Sequence, residues 1–170
     1  MSKPLRLVFA ALLVLSVCTS VFAAGLTSAE RSSLIFMREE EKLARDVYLT
    51  LGARYQLPIF TNIAGAEQVH MDRILGLLTK YGIADPAAGK RVGEFTNPVF
   101  TDLYAQLTAQ GAASLTGALE VGVLIEEIDI DDLTKCLSQT RKRDLQNVFT
   151  NLRSASYNHL SAFQSMLNRQ

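Results

Sequence analysis

Tryptophan is absent from this chain, and cysteine and histidine each occur only twice in 170 residues. Two cysteines and two histidines are too few for a disulfide scaffold or a zinc-finger layout. There is no surplus of either charge: 17 basic side chains stand against 17 acidic ones. Without a basic face, nucleic acid is not an expected partner. Intrinsic disorder is excluded by the apolar content, which reaches 48% of residues. What remains is an ordinary globular chain, of a length that suits one domain at roughly 100–200 residues per domain.

The long apolar run is confined to the N-terminus. Lys3 and Arg6 precede the nearly unbroken apolar residues 7–17, and Val21-Phe22-Ala23 offers the small residues a signal peptidase reads. Residues 1–23 are therefore expected to be a signal peptide, followed by a single domain over residues 24–170 that is periplasmic or extracellular. The run falls short of the roughly 20 residues that span a bilayer, so no membrane insertion is expected after cleavage. Lipid anchoring at Cys18 is the less favoured reading, because Val17 stands where that motif wants a small residue. Cleavage removes Lys3 and Arg6 and leaves 15 basic against 17 acidic side chains. The one remaining thiol, Cys136, reads as a small apolar filler on a helix.

After residue 24 the chain reads as helix upon helix, with no run of alternating strand residues. Thr27-Ser28-Ala29-Glu30 is a capping box that opens a first helix reaching residue 54. Asn62 is expected to cap a second helix to residue 81, with Gly82 as its left-handed C-terminal residue. A loop over 83–96 leads to Asn97-Pro98, the entry of a shorter helix closed by Gly111. Ser114 caps a fourth helix to residue 138, and a last one covers 144–168. The fold class expected is all-α: a four-helix bundle with a long connection between the second and third long helices that contains a short extra helix. That is the ferritin-like order, although periodicity alone admits other helical bundles.

Each long helix carries polar groups within its apolar stripe. The first reads Leu34, Met37, Glu41, Ala44, Tyr48 and the second Ile63, Glu67, His70, Ile74, Leu77. The fourth reads Leu119, Val123, Glu126, Ile130, Leu133, and the last Leu152, Ser156, His159, Phe163, Met166. Burying several carboxylates together is costly, since like charges repel and desolvation disfavours each. Either cations such as Lys42 and Arg45 neutralise them, or they surround a metal. Both histidines of the chain sit in these stripes, and Glu67-Gln68-Val69-His70 puts an acid and an imidazole one helical turn apart. Carboxylate oxygen with imidazole nitrogen suits iron or manganese.

The run Glu41-Lys42-Leu43-Ala44-Arg45-Asp46-Val47-Tyr48 resembles the first-helix motif of rubrerythrin-type di-iron proteins. With Glu39-Glu40-Glu41, Glu67-Gln68-Val69-His70-Met71-Asp72, Val121-Gly122, Ile125-Glu126-Glu127-Ile128-Asp129-Ile130 and Asn158-His159-Leu160, the chain resembles the ferritin-like family catalogued as domain of unknown function 2202 (DUF2202). The resemblance covers residues 27–167. It implies a ferritin-like bundle with a carboxylate-bridged centre of two irons, or manganese, and no established reaction. Carried over by position, the ligands are Glu41, Glu67, His70, Glu126 and His159, with Glu67 as a candidate bridge. Glu127 and Asp129 are substitutes on the fourth helix, Glu120 is a weaker one, and Glu40 is the alternative on the first. Arg45, Tyr48, Ser156 and Asn158 would surround the ligands: Arg45 pairing with a carboxylate such as Asp46 or Glu127, Tyr48 bonding a ligand, Asn158 orienting its neighbours. The last helix departs from the pattern, because Ser156 stands where a Glu-x-x-His pair would have glutamate.

Two classes of function follow. One is an oxidoreductase that oxidises Fe(II) or reduces oxygen or peroxide, of ferroxidase or peroxidase type. Lacking the cysteines of a rubredoxin-like site, it would draw electrons from Fe(II) or an external donor. The other is a non-catalytic metal- or partner-binding bundle whose buried acids are structural, a reading that Ser156 favours.

Overall fold

The structure, a computed structural model, describes residues 25–169, so the expectations for residues 1–23 and Cys18 lie outside the described residues. Among these, five helices follow in order: α1 Ser28–Tyr55, α2 Pro58–Lys80, α3 Pro98–Ala112, α4 Leu115–Ser138 and α5 Arg143–Leu167. No strand is present among the described residues.

The termini follow local chemistry. Thr27 and Glu30 close a reciprocal capping box on α1, and Gln56 ends that helix with φ at 54°. The second helix starts earlier than Asn62. Pro58 occupies its first turn, where a fixed φ fits and a missing N–H costs nothing, and Leu57 is the extended residue before it. Asn62 is then simply an exposed residue on α2. Gly82 takes φ of 62° just beyond that helix, as its position suggested. Asn97 caps α3 through Val99 N and Ser114 caps α4 through Gly117 N. Gly111 does not close α3, which continues to Ala112. Its role is packing: a Cβ there would meet Leu51 Cδ1 at 2.7 Å, and its carbonyl accepts the Tyr55 hydroxyl at 2.7 Å.

Contacts along the helices fix their directions. Glu41 meets His70 while Tyr48 meets Phe60, so α1 and α2 are antiparallel. Tyr48 reaches Glu126 and Ser33 reaches Gln139, making α4 antiparallel to α1. Likewise Glu67 faces His159 and Lys80 pairs with Asp144, so α5 runs against α2. The two helices joined by the long connection, α2 and α4, therefore point the same way, and the chain must travel the bundle's length between them.

Buried polar residues of α1 hold that connection in place. Arg38 makes a two-pronged pair with Asp85 at 2.9 Å per bond. Glu39 accepts from the backbone N–H groups of Thr96 and Asn97, and Lys42 donates to the Arg91 carbonyl at 2.8 Å. Asp46 accepts from Gly93 N at 3.0 Å and pairs with both Lys42 and Arg45.

The interior has two apolar zones. One contains Tyr48, Phe60, Leu119 and Phe163, and the other Leu34, Ile74, Leu133 and Phe149, all buried. Between them, at mid-length, lies a belt of acids and imidazoles. In the first zone Gly122 lets α4 approach α5, because an added Cβ would lie 2.6 Å from two ring carbons of Phe163. That ring is fully buried and cannot swing away. Gly122→Ala is expected to cost about 1–3 kcal/mol, lowering the melting temperature by about 2–12 °C. An unchanged thermal melt would show that the two helices separate without penalty.

Candidate metal centre

The polar belt is built from one turn of each long helix. Glu67 and His70, three residues apart on α2, lie side by side, with His70 Nδ1 2.7 Å from Glu67 Oε2. Glu41 comes from α1, its Oε2 3.1 Å from the same nitrogen. On the far side His159 of α5 places Nδ1 2.9 Å from Glu67 Oε1 and 3.5 Å from Glu126 Oε2 of α4. Two groups result, Glu41–Glu67–His70 and Glu67–Glu126–His159, each with ligand atoms within 4.8 Å of one another. Glu67 belongs to both, one oxygen toward each imidazole. The two rings lie 5.7 Å apart, tilted by 26°.

Asp129, one turn beyond Glu126, is buried against the same belt. Its Oδ2 accepts the Ser156 hydroxyl at 2.5 Å, while Oδ1 has no hydrogen-bond partner. A carboxylate from α4 thus reaches the space left where α5 has serine. Tyr48 donates to Glu126 Oε1 at 2.7 Å and so fixes that carboxylate from α1.

Burial sets the electrostatics. It pushes Glu41 and Asp129 well above the usual carboxylate range, with neighbouring acids adding to the effect and Ser156 partly offsetting it for Asp129. Burial likewise raises Glu126, to about 7, although His159 works against the shift. At Glu67 burial is outweighed by the two adjacent imidazoles, His159 and His70, which hold it down at about 2. Burial opposes a charge on His159, but Glu126 and Glu67 carry it up to about 10. Burial and Glu126 together raise the Tyr48 hydroxyl.

The remaining sequence candidates separate clearly. Glu127 and Glu120 are exposed on α4, pointing away from the belt, because the stripe through Glu126 and Asp129 takes the inward face. Asn158 is exposed too and orients nothing in the belt. Glu40 is buried but belongs to neither histidine group; it faces α3 and α4 instead. Arg45 pairs with Asp46 and reaches Gln68, not Glu127. Of three consecutive buried acids, then, Glu39 secures the crossover, Glu40 faces outward from the belt and Glu41 faces its centre. The tie through Glu39 escaped sequence reasoning, since its partners are backbone N–H groups of a loop more than fifty residues away.

Comparison with known proteins places the chain. It is 49% identical over 143 residues to the uncharacterized protein MJ0754 of Methanocaldococcus jannaschii, a match spanning 84% of this chain and 77% of that protein. Its structure is similar to the crystal structure of hypothetical protein MJ0754 from Methanococcus jannaschii DSM 2661, with a TM-score of 0.85 and 47% identity. That similarity covers 89% of this chain and 86% of the other. Residues 30–170 match the family described as "Uncharacterized protein domain (DUF2202)". The chain belongs to the DUF2202 family.

Proposed function

We propose that this protein is a ferritin-like bundle whose polar belt holds a dinuclear iron or manganese centre, and that it oxidises Fe(II) or reduces oxygen or peroxide. One observation carries the reading. Among the described residues, the basic groups that face the belt's buried acids are two imidazoles, while the cations that might have neutralised them, Lys42 and Arg45, are both turned onto Asp46. The topology supports it as well, since antiparallel pairs α1–α2 and α4–α5 joined by a bundle-length crossover follow the ferritin-like order.

The residues present fit a metal. Glu41 Oε1 and Asp129 Oδ1 are buried acceptors without a partner. Glu67 offers one oxygen to each side, 2.7 and 2.9 Å from the two imidazole nitrogens, and His159 Nδ1 is itself buried without a hydrogen-bond partner. Glu41, Glu67, His70, Glu126 and His159 would hold the pair, with Asp129 standing in for the carboxylate missing at Ser156. When bound, such a pair supplies one-electron chemistry and a site for oxygen or peroxide.

The chain's own part is positioning. Glu67 is pinned between two imidazoles, the Tyr48 hydroxyl holds Glu126, and the Ser156 hydroxyl holds Asp129 with one oxygen free. The apolar zones above and below exclude water from the belt. Small reactants have an approach at a shallow depression between α2 and α5, where His70 forms part of the wall. Electrons would come from Fe(II) or an external donor. Residues 1–23 make export part of the proposal.

The test is peroxide consumption by Fe(II)-loaded protein under anaerobic conditions. The expected result is turnover faster than that of the same free Fe(II). Metal that binds without accelerating the reaction would favour the non-catalytic metal-binding module, which Ser156 suggested. Tyr48→Phe is expected to keep the metal content but to lower metal affinity or turnover by about 10–100-fold, the usual effect of removing a ligand's hydrogen-bond partner. Equal affinity and rate in that variant would make the Tyr48 hydroxyl a matter of packing alone.

A further inference from the structure

A cavity of about 310 Å³ lies beneath α3, along the seam between α1 and α4, within the size range of small-molecule sites. Leu43, Phe100, Leu107 and Ile125 form its buried apolar wall. Phe36, Val99, Leu124 and Ile128 line it as well and are exposed, so the apolar surface continues from the inside to the opening. Large apolar side chains gathered at one opening mark a surface that meets apolar matter. The Phe36 and Phe100 rings, with centroids 5.2 Å apart, offer an aromatic occupant ring contacts of its own kind.

The polar groups of the lining fall into two sets. The acids are engaged with the belt or with each other: Ser156 donates to Asp129, and Asp132 faces Glu40 within hydrogen-bond reach. Gln106 and Gln110, one turn apart at the exposed edge of α3, have no side-chain hydrogen-bond partner among the described residues. Their amides offer donors and acceptors but no charge. No lysine, arginine or histidine lines the cavity, so an anionic head would find no counter-charge. A cationic head would leave water for an apolar space whose free groups at the α3 edge are neutral amides, which repay less of its desolvation than a counter-charge would. A hydroxyl donates and accepts at once, and so meets both sides of an amide. It also suits the unpartnered Glu40 Oε2 in either form of that acid, donating to a carboxylate or accepting from a carboxyl.

We infer that this cavity binds a neutral, mostly apolar molecule with a hydroxyl head, of the alkylphenol kind. Its ring and chain fill the space under α3, and its hydroxyl bonds the amides of Gln106 and Gln110. Neither glutamine belongs to the belt, so occupancy of the cavity and occupancy of the metal centre are independent.

The test is calorimetric titration of the full chain at neutral pH with four probes that share one apolar body: 4-propylphenol, propylbenzene, 4-propylbenzoate and 4-propylbenzylamine. The phenol is expected to bind most tightly, about 3–10-fold better than propylbenzene, which is what one net neutral hydrogen bond supplies. The benzylamine should bind more weakly than the phenol, and the benzoate should not bind. Gln106→Leu combined with Gln110→Leu, at exposed positions where the fold tolerates change, should bring phenol and propylbenzene to equal affinity. Leu103→Trp, which fills the cavity from the half-buried face of α3, should abolish binding of both. Equal affinity for phenol and propylbenzene in the unaltered chain, tightest binding of the benzoate or the benzylamine, or no binding at all would each overturn the inference. So would a phenol preference that survives the double glutamine variant, or phenol binding that survives Leu103→Trp.

Discussion

Glu67→Ala is expected to empty both metal positions at once. Every other belt ligand serves one group: Glu41 and His70 on one side, Glu126 and His159 on the other. Glu67 alone places an oxygen against each imidazole, at 2.7 and 2.9 Å. Losing that bridge should reduce affinity at both positions by more than the roughly 10–100-fold that follows loss of a supporting hydrogen bond. His70→Ala or His159→Ala should instead cost mainly one ion. Helix content should stay largely intact in Glu67→Ala, because the apolar zones on either side of the belt are untouched. Metal content and far-ultraviolet circular dichroism, measured on the same samples, check the pattern. A Glu67→Ala protein with normal metal content would place the centre elsewhere.

The second large effect is the response of the metal-free protein to pH. Burial raises Glu40, Glu41 and Asp129 well above the carboxylate range and Glu126 to about 7, so the folded chain keeps protons that the unfolded chain releases. Stability from these groups is fully present below their unfolded values and is lost as pH rises through the folded ones. For Glu126 the shift runs from 4.5 to about 7, which corresponds to about 3 kcal/mol lost by neutral pH. His159 acts in the same direction at higher pH: raised to about 10, it contributes stability below 6.5 that disappears toward 10. Glu67 acts oppositely and only in acid, its contribution vanishing as pH falls from 4.5 through about 2. The metal-free protein should therefore lose stability steadily from pH 5 to pH 8. Metal binding needs deprotonated ligands, so its stabilisation should grow over that interval. At metal concentrations about a thousandfold above Kd it amounts to about 4 kcal/mol, or about 8–16 °C in melting temperature. Thermal melts with and without Fe(II) across that range measure it. A metal-free melting temperature that climbs from pH 5 to pH 8, with no shift on adding metal, would mean that the belt carboxylates are ionised and paired within the protein, an ion-pair network that needs no metal.

Much of this was legible in the sequence, for identifiable reasons. The capping box at Thr27, the caps at Asn97 and Ser114 and the glycine at 82 are local signals, and they mark helix ends where the structure has them. Gly111 misled because a glycine near a helix end reads as a terminator, whereas here it makes room for Leu51. Stripe positions picked out Glu41, Glu67, His70, Glu126 and His159 because a charge in an apolar stripe is conspicuous at helical spacing. Sequence reading left Glu127 and Asp129 as equal substitutes for Glu126, although helical spacing favours the second. The structure turns Asp129 inward because position 129 follows Glu126 by three residues, the helical spacing that keeps one face. The buried state of Glu39, Lys42 and Asp46 depends on where the crossover lies, which no local pattern encodes.

The most direct measurement of the central claim is elemental analysis of the purified protein after anaerobic reconstitution with Fe(II). About two metal ions per chain, falling to none in Glu67→Ala, is the expected result for a dinuclear carboxylate centre in a four-helix bundle. A wild-type chain that retains no metal would contradict it.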